Sequence, residues 1–332
     1  MPAALLFLVA NHPQIAYNYS MKSNSRTDII FIGTAIVDAI IKGFDPEPVS
    51  ATGYRADSCS LNPGGEAVNG SVAAAKLGAK AAVLCHLGTD AAGGMIEDEL
   101  VKNHVDISRI VRSDGHATPV TTMFVTDDGS RRSITNKAHR YNFHPEQYMS
   151  ALTGAKAVVL GSLFRAPFDD PAVIRSVAEY AHDQGVLVFA DTKLPNFTKL
   201  TLDDIADSLP LIDYITPNED EGRYCTGEDD PEKMADVFLA KGARNVIIKL
   251  GGEGCFFKSR EESIRLPACD IEAVDATGAG DNFLAGLASE LLRGSGIRDA
   301  LIFANACGAI CSKAVGASTA LRSREQILEF LR

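Results

Sequence analysis

The sequence predicts an α/β fold: a mostly parallel sheet covered by helices on both faces, carrying a small β-rich appendage. Three observations predict it. Apolar runs of strand length alternate with helical patterns over most of the 332 residues, as in crossover-connected parallel strands. Two stretches, 48–61 and 119–135, break that rhythm with half-exposed alternation and no helix after them. Glycine turns open helical segments at Gly64-Gly65 and at Gly278-Ala279-Gly280.

The expected body strands are 29–32, 81–87, 157–160, 186–190, 214–215 and 245–249. The expected helices are 67–77, 94–103, 171–184, 231–241, 278–292, 297–315 and 324–331. The run 67–77 is rich in small residues, which let a helix approach a neighbour or a ligand closely. The run 278–292 follows an extended stretch, IEAVDAT, and is amphipathic. In the second excursion Asp128-Gly129 is a hairpin signal. The two excursions together form a small β unit, read as a lid that excludes water from a site.

A chain of this length with 46% hydrophobic residues buries about three quarters of its unfolded surface without staples. The net charge of −11 argues against nucleic-acid binding, which needs clustered Lys and Arg. The one tight basic cluster is Arg131-Arg132, beside Asp127 and Asp128. The seven cysteines are odd in number and form no CxxC pair, a pattern of reduced thiols in a cytoplasmic protein. Cys307 and Cys311 are spaced i, i+4, but no His or second Cys pair completes a metal site, so packing is the expected role. The opening MPAALLFLVANHPQ lacks a basic flank and is too short to span a bilayer; no membrane partner is expected.

Three segments carry chemistry. In VDATGAGDNFLAGLASELL (274–292), glycines at a helix start offer free N–H groups to an anion. Asp281 then stands in the first helical turn. It is either a helix-end acid favoured by the dipole or a base that accepts a proton from an attacking hydroxyl; residue type alone leaves both open. In NPGGEAVNGSVAAAKLG (62–78), Gly64 and Gly65 form a tight turn, and Asn69 can donate and accept toward a sugar hydroxyl or cap the helix. In FIGTAIVDAI (31–40), Asp38 follows the first strand, where ligand crevices form, and could clamp two hydroxyls of a polyol. No GxxxxGK[ST] occurs, and GAGDNF lacks the third glycine of a dinucleotide fingerprint.

GGEAVNGSVAAAKLG and DATGAGDNFLAG resemble the N- and C-terminal signatures of the ribokinase (PfkB) family of carbohydrate and nucleoside kinases. The resemblance implies a three-layer α/β/α domain over 27–332, with a β lid from about 43–62 and 117–137. Residues 1–26 form an extension outside it. It implies ATP-dependent phosphorylation of a sugar-like hydroxyl, with Asp281 as catalytic base and Gly278, Ala279 and Gly280 as the anion hole. Asp38, Gly64, Gly65 and Asn69 fall where the family binds substrate. Asn218 and Glu221, in TPNEDE, match its NxxE element, which organises Mg²⁺ through water. Lys249 to Gly254, with Gly251 between, resembles the nucleotide-binding TLGxxG, with lysine in place of threonine. Asn305 falls near the adenine pocket. Asp275 and Thr277 match ligands of a monovalent cation, K⁺, completed by main-chain groups near 312–316. Lys193, in FADTKLP, is read as a cation that follows the travelling phosphate.

One departure bears on substrate. Glu66 stands where ribokinase and sugar-phosphate kinases often carry lysine. A carboxylate there disfavours an anionic substrate, so a neutral ribose- or fructose-like sugar is expected. A nucleoside kinase remains the alternative inside the family, with Tyr54 or Phe124 stacking on a base. A non-catalytic sugar-binding regulator is the alternative outside it. His139 and Arg140, past the second excursion, are expected in a solvated loop, with substrate contact as the alternative. Exposed lid strands could pair between subunits, giving a homodimer.

Overall fold

The computed structural model describes residues 27–43, 56–125, 131–135, 143–196 and 198–332. The Asp128-Gly129 turn, Tyr54, His139, Arg140 and the extension 1–26 lie outside the described residues.

The apolar run IIFI forms β1 (Ile29–Ile32), buried on both faces. After Gly33-Thr34 the chain leaves the body and enters β2 (Ile36–Lys42), then returns through β3 (Ser58–Gly64) into α1 (Glu66–Lys76). The predicted strand 81–87 divides at Cys85 into β4 (Ala81–Leu84) and β5 (His86–Gly88), which serve different sheets. Next come α2 (Ala91–Lys102), β6 (Val111–Ser113), β7 (Val120–Val125) and β8 (Arg131–Thr135). The second half runs β9 (Ala157–Leu163), α3 (Pro171–Asp183), β10 (Leu187–Thr192), β11 (Tyr214–Ile215), α4 (Glu219–Thr226), α5 (Pro231–Ala240) and β12 (Asn245–Lys249). It closes with β13 (Cys255–Ser259), β14 (Ser263–Leu266), α6 (Ala279–Leu292), α7 (Ile297–Cys311) and α8 (Arg324–Phe330).

The body is an eight-stranded sheet ordered β14-β13-β12-β11-β10-β9-β1-β4. It is parallel from β12 to β4, and only the β13–β14 edge is antiparallel. Side-chain alternation along β1 feeds two cores. Ile29 and Phe31 pack with Val68, Leu287 and Leu301 from α1, α6 and α7. Ile30 and Ile32 pack with Ile174 and Phe238 from α3 and α5. Burial on both faces is why these strands read as unbroken apolar runs. Gly70 matters here: a Cβ on it would stand 2.6 Å from the Phe31 ring, so only glycine lets α1 lie this close to β1.

The small sheet is ordered β3-β2-β7-β8. It contains parts of both alternating excursions, but β2 precedes them and had no strand expectation of its own. In the sequence β2 merges with β1 into one apolar stretch, and Gly33-Thr34 alone marks where the chain changes sheets. Short β6, α4 and the β13–β14 hairpin likewise lacked a sequence expectation. Polar α4 is fixed by its ends: Asn218 and Glu221 form a reciprocal capping box, and Gly227 takes the left-handed conformation. The β13–β14 hairpin pairs onto β12, against which β13 lies in register. Helix α7 stops at Cys311 rather than 315. The Ser312 hydroxyl bonds Gly308 O at 3.0 Å, and the chain turns into the 312–319 loop.

Candidate active site

The parallel strands all end on one edge of the sheet, and the chemistry-bearing residues gather there. Asp191 lies in the last two residues of β10, two positions before Lys193, Asn218 follows β11, and Lys249 ends β12. Helix α6 begins over the same edge. Its N-cap, Gly278, is left-handed at φ 78°, and a Cβ there would stand 2.3 Å from Ala317 Cβ. The tight turn therefore requires glycine. The Ala279 N–H bonds Ala276 O at 3.1 Å. The N–H groups of Gly280 and Asp281 take no backbone acceptor among the described residues, which leaves them for an anion.

Asp281 meets Asn69 across 212 positions of sequence: Asn69 Nδ2 donates to Asp281 Oδ2 at 2.8 Å. A Cβ on Gly64 would lie 3.3 Å from Asp38 Oδ2 and 3.7 Å from Asn69 Oδ1. Asp38, Gly64, Asn69 and Asp281 thus form one continuous cluster, built from β2, β3, α1 and α6. Gly65, at φ 93°, abuts Thr34 O so closely that a Cβ would stand at 2.3 Å. Glu66 lies along the ends of β1 and β9. Its Oε1 accepts from Thr34 N at 2.9 Å, and a Cβ on Gly33 or Gly161 would strike its side chain at 2.9 or 2.4 Å.

The charges interact. Burial pushes the Asp281 carboxyl up to about 6; Lys193 and the Asn69 amide pull it down, and Glu66 and Asp191 push it further up. Burial would lower the Lys193 ammonium, but Asp281, Asp191, Glu66 and Glu221 outweigh it, so its pKa is raised. Glu221 is raised by burial first and then by Asp191, against Lys249, the Asn218 N–H and the Thr192 hydroxyl. Both hydrogen bonds to the Glu221 carboxylate, from Thr192 Oγ1 and Asn218 N at 2.9 Å, fall on Oε2. Lys249 Nζ pairs with both oxygens of Asp191, at 2.6 and 2.8 Å.

The remaining sequence candidates fall into two places. Gly251 and Gly254 take positive φ in the turn after β12, where Leu250 N bonds Gly254 O at 2.8 Å. A Cβ on Gly254 would stand 2.1 Å from Leu266 O. Asn305 lies beside this turn, donating to Pro267 O at 3.3 Å. Asp275 and Thr277 stand on the other side of α6. Asp275 Oδ1 accepts from Thr277 N at 3.0 Å and from Thr277 Oγ1, and its Oδ2 accepts from Gly316 N at 3.2 Å. The 274–277 segment and the 312–316 loop are thereby joined. Cys311 packs there too, and Cys307 is buried where a Cβ on Gly286 would touch its sulfur.

Sequence reasoning passed over Asp191, Thr216 and Asn282. Asp191 stands at a strand end two residues before Lys193, so the rule that found Lys193 also applies to it. Asn282 follows Asp281, and its amide donates to Gly278 O and Ala317 O at 2.8 Å each. Phe124 pairs with Ile41, three residues past Asp38 on β2, so it projects from the opposite face of the small sheet.

A three-layer α/β/α body with a small sheet at the strand ends defines the ribokinase-like class of fold. The sequence model of the pfkB family carbohydrate kinases matches residues 26–324, and the chain belongs to that family. It is 29% identical to the ribokinase of Haemophilus influenzae over 81% of this chain and 87% of that one. It is 30% identical to the 2-dehydro-3-deoxygluconokinase of Bacillus subtilis over 77% of this chain and 82% of that one. The structure of Arabidopsis thaliana ribokinase complexed with ribose and ATP superposes with a TM-score of 0.80 at 22% identity, covering 93% of this chain and 99% of that one. The protein is an ATP-dependent carbohydrate kinase that transfers phosphate to a hydroxyl. Among the described residues, no helix is long and apolar enough to cross a membrane.

Proposed function

We propose that this kinase phosphorylates a neutral ribose- or fructose-like sugar, with Asp281 as the base. The observation that carries the reading is the Asn69–Asp281 hydrogen bond at 2.8 Å, which joins the two glycine-led segments at one point. Asp38 and Asn69 hold sugar hydroxyls beside Gly64 and Gly65. The substrate oxygen attacks the terminal phosphorus of ATP, the bond to the ADP oxygen breaks, and the hydroxyl proton passes to Asp281. Asn69 keeps the carboxylate aimed. The N–H groups of the Gly278-Ala279-Gly280 turn and the start of α6 face the charge that develops on the phosphoryl oxygens. Lys193 adds a mobile positive charge.

Lys249, Gly251, Gly254 and Asn305 line the nucleotide side in this reading. Glu221, with Oε1 outside its two hydrogen bonds, and Asn218 fit a hydrated Mg²⁺, which when bound neutralises phosphate charge. The hard oxygens of Asp275 and Thr277 beside the 312–316 carbonyls fit a K⁺ that steadies the anion-hole loop. Glu66 favours a neutral substrate over a sugar acid or sugar phosphate, because its carboxylate faces the same cleft as Asp281. The outward projection of Phe124 weighs against the nucleoside alternative. The seven cysteines, all free thiols, are consistent with the cytoplasm.

An ADP-release screen over neutral sugars, sugar phosphates, sugar acids and nucleosides, with and without K⁺, tests this. Turnover is expected with ribose or fructose and enhanced by K⁺. Turnover confined to sugar acids or phosphates would overturn the substrate assignment.

A further inference from the structure

A buried ion pair lies directly below the glycine turn. A Cβ on Gly280 would stand 3.1 Å from Lys249 Nζ and 3.7 Å from Asp191 Oδ2. Both side chains are nearly buried, at 13% and 11% exposure. Asp191 is also fixed from other sides: its Oδ1 accepts from Thr216 Oγ1 and from Thr192 N, each at 3.0 Å. The pair spans β10 and β12, with β11 supplying Thr216 from just past its end.

Stability alone is a poor reason for such a pair. Desolvating two charges costs roughly what their attraction returns, and apolar replacements are often as stable. Here the pair occupies the end of the sheet, past the apolar runs 188–190 of β10 and 246–248 of β12, against the turn that faces the phosphoryl group. Lysine is also the chain's own departure from the threonine of the family segment. Without the ammonium, Asp191 and Glu221 would present two carboxylates to an incoming triphosphate. Without Asp191, the ammonium is free to swing on its four-carbon stem toward any phosphate oxygen.

We propose that Asp191 is a positioning residue: with Thr216 it holds the Lys249 ammonium beneath Gly280, where the positive charge serves the phosphoryl group in transfer in addition to the bound nucleotide. This rests on the kinase reading of the site. It separates two effects that a structural ion pair would not. Lys249→Met should weaken MgATP binding and slow turnover together. Asp191→Asn leaves the ammonium present but unaimed, so MgATP affinity should hold within about threefold while kcat falls about 10- to 100-fold.

The test is kcat, sugar KM and calorimetric MgATP affinity for wild type, Asp191→Asn, Lys249→Met and the double variant, with thermal melts to establish folding. The double variant should be no slower than Lys249→Met, because Asp191 acts through Lys249. Lys249→Arg should recover part of the rate lost in Lys249→Met. Thr216→Val, which keeps both charges, should lower kcat by roughly three- to tenfold without changing MgATP affinity; it decides the matter if Asp191→Asn does not fold. An Asp191→Asn kcat within twofold of wild type, or additive losses in the double variant, would overturn the proposal. A wild type inactive on every sugar would instead sink the kinase reading on which it stands.

Discussion

At the scale of single residues, Asp281 as the proposed base combines two demands. A base must be ionised to accept a proton, yet burial holds this carboxyl up at about 6. Activity should therefore rise with pH through an apparent pKa near 6 in kcat/KM. Lys193 pulls that value down, so Lys193→Met should move the acid limb to higher pH, read from the same profile. A limb that stays in place would separate Lys193 from the base. Stability has the opposite slope. A folded-state pKa above the unfolded one means the native chain holds the proton longer, so stability is lost as pH rises from about 4 to about 6. Asp281→Asn should consequently melt higher than wild type at pH 7.5, with the difference shrinking toward pH 4. Equal melting at neutral pH would show that the carboxylate carries no burial penalty.

At the scale of elements, the start of α6 depends on glycine and on Asn282. Gly278→Ala would combine positive φ with a Cβ pressed onto Ala317, a cost of about 1–3 kcal/mol measurable by denaturant unfolding, and should lower kcat more than sugar KM. A cost near zero would mean the turn relaxes freely. The elements legible in the sequence were those whose pattern had one cause. Strands β1, β9 and β12 read as apolar runs because both faces are buried, and α3 and α5 read from their periodicity. What escaped had divided causes. Strand β2 was hidden by its continuity with β1, and α4 by a polar sequence that its caps hold in place. In the site, Asp281, Asn69 and the glycine turns stood out as candidates because their types and spacings are local, while residue type alone left a capping and a chemical role open for both Asp281 and Asn69. The Asp191–Lys249 pair was not, because it forms across 58 positions through strand order that no local pattern encodes.

At the scale of the molecule, the small sheet turns a row with two exposed apolar ends outward. Leu61, Ala39, Thr122 and Ile134 lie in register across its four strands, and Leu61 and Ile134 are 57% and 67% exposed. Exposed apolar strands of this kind invite pairing or packing with another copy, which favours the lid-mediated homodimer. Leu61→Lys with Ile134→Lys should convert a dimer to a monomer in analytical ultracentrifugation while retaining the fold; a wild type that sediments as a monomer contradicts that assembly. Beneath this sheet, the proposed reaction passes a hydroxyl proton to Asp281. Rapid-quench transfer of γ-labelled phosphate from ATP to ribose or fructose, compared between wild type and Asp281→Asn, is the decisive measurement. Label should pass to a sugar hydroxyl in wild type and slow by about 1,000-fold or more in the variant, with ATP affinity retained. Transfer in Asp281→Asn at a rate near wild type would contradict the claim that Asp281 is the base.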